Sequence, residues 1–231
     1  HNLTLSLIIS LVWASVLFAF SVPIVGFYEL KSHIAQDAVN YLRTVSTAFP
    51  FVFMSAAATG IFNASGRSKI PFTINGVGLV INMVLDPLFI FVFDWKTDGA
   101  AWATWIAQAC VFTSFVYQLK FKQILWDNFC FFGKLKKPYT KRIIQIGFPV
   151  ATLNTLFAFV NMFLGRTAST VGGHLGLMAM TTSGQIEAIT WNTSQGFSTA
   201  LSAFVAQNYA ARKIERVMKA LKSTLYMTFV F

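Results

Sequence analysis

The chain alternates long apolar stretches with short polar interruptions. Charge-free runs cover 1–28, 44–66, 99–119 and 143–165; residues 70–93 hold one charge, Asp86, and 167–211 hold one, Glu187. An uncharged apolar run of about 18 residues or more reads as a membrane-spanning helix, because ~20 residues rising ~1.5 Å each cross a ~30 Å hydrocarbon core. Seven spans are predicted, at roughly 3–28, 44–64, 71–93, 99–119, 143–168, 176–207 and 217–231. The first is too long, and its front too free of charge, for a cleaved signal peptide. The chain opens on His1 inside one apolar run and stops at Phe231 inside another, so further helices are expected on both sides.

Composition agrees. With 55% hydrophobic and 11% charged residues, the chain is neither a soluble globular domain, nor a disulfide-rich secreted module, nor disordered. Its expected class is an all-α membrane protein, a polytopic helical bundle whose first partner is the lipid bilayer. The net charge of +10 would suit a nucleic-acid binder, but its distribution does not. Fourteen of the eighteen basic residues fall in three alternate connections, 64–70, 119–142 and 208–222. The other four are Lys31, Arg43, Lys96 and Arg166. Basic loops stay on the cytoplasmic side, so those three connections are expected there, in a cell (plasma or inner) membrane. The longest connection suggests a boundary. Residues 1–119 would belong to one helix bundle, 120–142 to a basic loop, and 143–231 to a second bundle. The loop's aromatic interior (Trp126, Phe129, Phe131, Phe132) either lies flat at the headgroups or docks as a cytoplasmic loop.

Acids inside a membrane are costly, so each is a functional candidate. Asn75, Gly78, Asn82 and Asp86 are spaced three, four and four apart and share a helix face. Asp86 lies ~22 Å along the span from Pro71. Pro87 follows it and frees the carbonyl of Met83. A carboxylate beside an amide and a freed carbonyl is an oxygen-rich site for a hard cation or a proton. The competing reading is a hydrogen bond from Asp86 to a neighbouring helix. Thr104 and Gln108 share a face of the next, antiparallel span, which places Thr104 near the depth of Asp86. Ser183, Glu187, Thr190 and Ser194 form a face of the sixth span. Either this face lines a central cavity, or Glu187 is a structural hydrogen-bond partner. Asn154 and Asn161, seven apart in the fifth span, suit polar lining or packing. The histidines His1, His33 and His174 share no helix face, and no phosphate loop or nucleophile–base pair is present. Neither an enzyme nor a cofactor is therefore expected.

Four segments resemble the multidrug and toxic compound extrusion (MATE) family. They are Asn63-Ala-Ser-Gly-Arg-Ser-Lys-Ile-Pro71, Asn82-Met-Val-Leu-Asp86-Pro-Leu, Asp98-Gly-Ala-Ala-Trp-Ala-Thr104 and Val205-Ala-Gln-Asn208-Tyr-Ala-Ala-Arg212. The resemblance implies helices three to eight and the start of nine of a twelve-helix, two-lobe (6+6) pseudo-symmetric exporter. It implies inward exchange of sodium ions or protons for small organic, cationic substrates, by a monomeric transporter. Asn82, Asp86 and Thr104 stand where the family's amino-lobe cation site draws on its fifth and sixth helices. The acid that its first helix supplies lies outside this sequence. Some relatives carry a Glu in the seventh helix, whereas the fifth span here has no acid; Glu187 is a possible substitute one helix later. Ala210-Ala211 replaces the family's usual Gly-Ala.

A lipid-linked precursor flippase would need a more cationic cavity to hold phosphates, and the four basic residues outside the basic loops all sit near span ends. A non-transporting membrane scaffold would have no use for polar stripes inside the third and sixth spans.

Overall fold

The computed structural model describes residues 2–30, 32–120 and 137–230. The described residues are helical and contain no strand: α1 (Asn2–Ala19), α2 (Ser21–Gly26), α3 (Ser32–Ala64), α4 (Lys69–Pro87), α5 (Lys96–Lys120), α6 (Lys137–Ala210) and α7 (Ile214–Val230). The aromatic run from Trp126 to Phe132 lies outside them.

Within the described residues each of the seven expected spans is largely helical, but their edges differ from expectation in ways the backbone explains. The first span is broken at Phe20 into α1 and α2. Pro23 lacks an N–H, and its ring clashes with the carbonyl four residues back, that of Ala19, where α1 ends. α3 begins twelve residues before the apolar run does and passes through Pro50 unbroken. Charged residues end the lipid-compatible stretch without ending the helix. Beyond Pro87, α4 loosens into a π-helical turn, Leu88–Val92, in which the Phe93 N–H reaches the Leu88 carbonyl. Residues 137–142, assigned to a loop from their charge, are the first turns of α6. Pro138 sits in its first turn, where a missing N–H costs nothing.

The fifth and sixth spans were expected to be separated by residues 169–175. Instead a single residue divides them. Gly173 (φ 59°, ψ −153°) interrupts α6 in a conformation that essentially only glycine adopts. The two arms, 137–172 and 174–210, fold back on each other. The rings of Phe157 and Trp191 are 6.3 Å apart, whereas a straight helix would separate them by ~51 Å. Next to the bend, a Cβ on Gly176 would collide with the Ala168 carbonyl oxygen.

α1 to α5 pack around α3, which touches α1 on one side and α5 on the other, while α4 lies along α5. Their core is Leu3, Met54, Phe62, Ile74, Val111, Phe115 and Leu119. Phe62 and Phe115 stack at 6.0 Å and are almost wholly buried. Lipid is as apolar as these side chains, so close van der Waals fit rather than escape from water stabilises such contacts. At Gly78 any Cβ would run into a Val111 methyl group, so the missing side chain is what lets α4 and α5 approach.

Most large apolar side chains point outward, Phe72, Val171, Tyr226 and Phe229 among them. Five of the described helices are long and apolar enough to cross a membrane, with α6 counted once. An apolar exterior of this extent is compatible with a lipid surround.

Candidate functional site

The structure brings Asn82, Asp86 and Thr104 to one region. Four residues apart on α4, Asn82 and Asp86 share a face, and the Asn82 amide Nδ2 donates to Asp86 Oδ1 at 3.3 Å. Both are half-buried. That bond leaves the Asn82 oxygen and the second Asp86 oxygen as acceptors. Pro87 follows directly, and the Leu88 N–H turns back to the Leu85 carbonyl, so the backbone ladder is already irregular beside the carboxylate. Across from them, Thr104 and Gln108 of α5 line a cleft of about 260 Å³ together with Asn75, Gly78 and Asn82. α5 can stand this close because Ala103 and Ala107, four residues apart on its packed face, are buried without bulk. The cleft is therefore walled by amide and hydroxyl groups beside Leu79, Ala107 and Val111, with one carboxylate a turn beyond.

The polar residues of α6 are not gathered in the same way. Ser183, Glu187, Thr190, Ser194, Asn154 and Asn161 are all exposed. Asn161 satisfies its amide on its own helix, donating to the Phe157 carbonyl at 2.9 Å. The register that pairs Phe157 with Trp191 sets Asn161 at about the level of Glu187 on the opposite arm.

Two sets of contacts between α1–α5 and the α6 hairpin are not readable from spacing. At the end that carries the Gly173 bend, Arg166 Nη2 donates to Glu29 Oε1 at 2.6 Å, and its guanidinium lies 4.8 Å from the Phe27 ring centroid. Ser169 Oγ donates to the Tyr28 carbonyl at 2.8 Å, and Phe27 meets Phe163 edge-on at 5.6 Å. Glu29 has φ 53°, a left-handed turn that reverses the chain after α2. At the opposite, basic end, Gln207 Nε2 donates to the Ala64 carbonyl at 3.2 Å. Two matching helix ends meet there. After α3, the Arg67 N–H bonds back to Phe62 across Gly66 (φ 73°); after α6, the Lys213 N–H bonds back to Asn208 across Arg212 (φ 57°). Both are Schellman turns, which satisfy the last carbonyls of a helix. A second cleft of about 610 Å³ lies between them, lined by Thr59, Asn63, Ser68, Thr199 and Gln207 among others. A sequence signal existed for the first set: Arg166 is the lone basic residue between 142 and 212.

Comparison with known proteins adds to this geometry. The MatE family signature matches residues 1–88. Protein DETOXIFICATION 43 of Arabidopsis thaliana is 30% identical over 98% of this chain and 42% of its own length. The probable multidrug resistance protein YoeA of Bacillus subtilis (strain 168) is 24% identical over 99% of this chain and 51% of its own. The chain thus spans about half the length of the curated relatives it matches. Among solved structures, a crystal structure of MATE in the bent conformation superposes with a TM-score of 0.81 at 21% identity, over 99% of this chain and 51% of that one.

Proposed function

Because this chain belongs to the MATE family, we propose that the whole protein is a secondary active exporter. It would move small organic cations, drugs or metabolites, outward in exchange for sodium ions or protons. The observation that carries this reading is the Asn82–Asp86 pair: a carboxylate half-buried in an apolar helix, with an amide already on one of its oxygens. Acidic side chains inside membrane-spanning helices are rare and mark ion or substrate pathways. Thr104 supplies a hydroxyl oxygen from across the cleft. Asp86 is the coupling carboxylate, with Asn82 and Thr104 as its oxygen partners. Glu187 is an acid of the substrate cavity, flanked by Ser183, Thr190, Ser194, Asn154 and Asn161. The basic end faces the cytoplasm, and α1–α5 and α6–α7 are parts of two lobes that rock against each other.

The phosphate-binding alternative is weakened by Arg43 and Arg166. Arg43 Nε donates to Ser21 Oγ at 3.0 Å, and Arg166 is held by Glu29. Neither arginine lines the clefts beside Asn82 and Asn75.

The test uses the full-length protein in vesicles. Asp86→Asn keeps the shape and removes the charge. Efflux of ethidium driven by a sodium or pH gradient is expected to fall at least tenfold. Transport equal to wild type would end the coupling role of Asp86.

A further inference from the structure

We propose that Asn75 and Gln108 form a neutral relay through which the coupling cation passes between Asp86 and the basic end of the protein. The inference rests on the coupling role given to Asp86 and adds a route and two residues to it.

Two clefts carry the argument. The first is the one lined by Asn82, Thr104 and Gln108. The second, about 640 Å³, opens at the basic end between α3 and α4; Thr59, Asn63, Ser68 and Asn75 line it together with the apolar Pro71, Phe72 and Leu79. Asn75 and Leu79 stand in the wall of both, so the two spaces adjoin at these two side chains. Asn75 is also joined to the second by its own hydrogen bond, Nδ2 donating to Thr59 Oγ1 at 3.4 Å. On α3, Thr59 is flanked at four-residue intervals by Asn63 and by Ser55, a buried serine whose hydroxyl has no partner among the described residues.

The spacing suits a relay. Asn75 and Asn82 are seven residues apart on α4, about 10.5 Å, too far for a cation to keep one oxygen while reaching the next. α5 runs antiparallel to α4, so Gln108 lies one turn nearer the basic end than Thr104 and falls within that gap. Between Asn75 and Asn82, at Gly78, a Val111 methyl group packs against α4, so Asn75 and Gln108 are the side chains that can offer oxygens on either side of this apolar point. A space of 260 Å³ corresponds to roughly eight waters at ~30 Å³ each, enough for an ion to keep part of its shell.

The chemistry suits transit rather than storage. Passage requires sites that are favourable enough to enter and weak enough to leave. Amide and hydroxyl oxygens replace lost water without the charge that would trap a cation. Beyond Asp86, the route towards the basic end presents no acid from the residues lining either cleft, while Lys69 borders its mouth. A cation leaving by this path meets progressively weaker sites.

The experiment compares four variants with wild type and Asp86→Asn in the full-length protein reconstituted in vesicles. Asn75→Leu and Gln108→Leu keep volume and remove the oxygen; Asn75→Thr and Gln108→Asn keep an oxygen. The readouts are ethidium efflux driven by a sodium or pH gradient, its dependence on external cation concentration, and equilibrium ethidium binding in detergent. Each leucine variant is expected to lose at least tenfold in maximal rate. Its KM for the cation should be unchanged or lower, and its ethidium binding within twofold of wild type. The oxygen-keeping variants should retain at least a third of the rate. Leucine variants that transport within twofold of wild type while Asp86→Asn is inactive would overturn the relay and leave the coupling carboxylate standing. So would equal losses in the leucine and oxygen-keeping variants, or a raised KM at full rate. An Asp86→Asn protein that transports normally would overturn the coupling role and the relay with it.

Discussion

Gly173 shows how much one residue decides. Its backbone angles lie where an L side chain is strained by about 1–3 kcal/mol, and the reversal of α6 depends on them. Its neighbour Gly172 is helical, with open space where a Cβ would go. Gly173→Ala is therefore expected to lower the thermal unfolding midpoint of the full-length protein in detergent. Gly172→Ala should leave it unchanged or raise it slightly, since alanine favours a helix by ~1 kcal/mol over glycine. Equal effects at the two positions would contradict the bend described here. At this same scale, part of the candidate site was legible in the sequence and part was not. The four-residue spacing of Asn82 and Asp86 predicts their shared face, and the structure adds the hydrogen bond between them. The pairing of Arg166 with Glu29 was not legible. The two lie 137 positions apart, Glu29 in the turn after α2 and Arg166 inside α6, and no periodicity connects them.

The helices were legible because lipid imposes a length on apolar runs, and those runs are long here. Their edges were less so. Charge ends the lipid-compatible part of α3 and α6 but not their hydrogen-bond ladders, so both helices outrun their apolar segments. Pro23 breaks the first span, whereas Pro50 leaves α3 whole; neighbouring helices can hold a proline-bearing helix together, and α3 is packed on both sides. Contacts between helices carry a sharper expectation. A Cβ on Gly78 meets only a Val111 methyl group as its closest neighbour, while one on Gly99 meets the backbone of Phe89 at 2.9 Å. Gly78→Ala should destabilise by about 1–3 kcal/mol. Adding Val111→Ala should recover much of that loss, because it removes the obstructing methyl group. Gly99→Ala should not be recovered by Phe89→Ala, since the obstruction there is main chain. Thermal midpoints of the single and double variants separate the two cases.

Across the whole molecule, the α6 hairpin meets α1–α5 near each end of the bundle, through Phe27 to Glu29 at one and Ala64 to Gly66 at the other. Cysteines replacing Glu29 and Arg166 should be joined by a short thiol-reactive bridge in the full-length protein; absence of bridging would mean that this contact is rarely formed. Arg166→Gln is expected to change thermal stability little, because an exposed ion pair contributes only ~0–1 kcal/mol.

That small value has a consequence for motion. Two weak fastenings at opposite ends of a pair of stiff arms make a seesaw: tilting the arms to release one end presses the other together. An ion pair of about 1 kcal/mol biases such a balance by a factor of only about five, so the Arg166–Glu29 pair by itself would not lock either tilt. If the two halves rock as proposed, an ion or small molecule between the arms with a modest preference for one tilt would shift the balance.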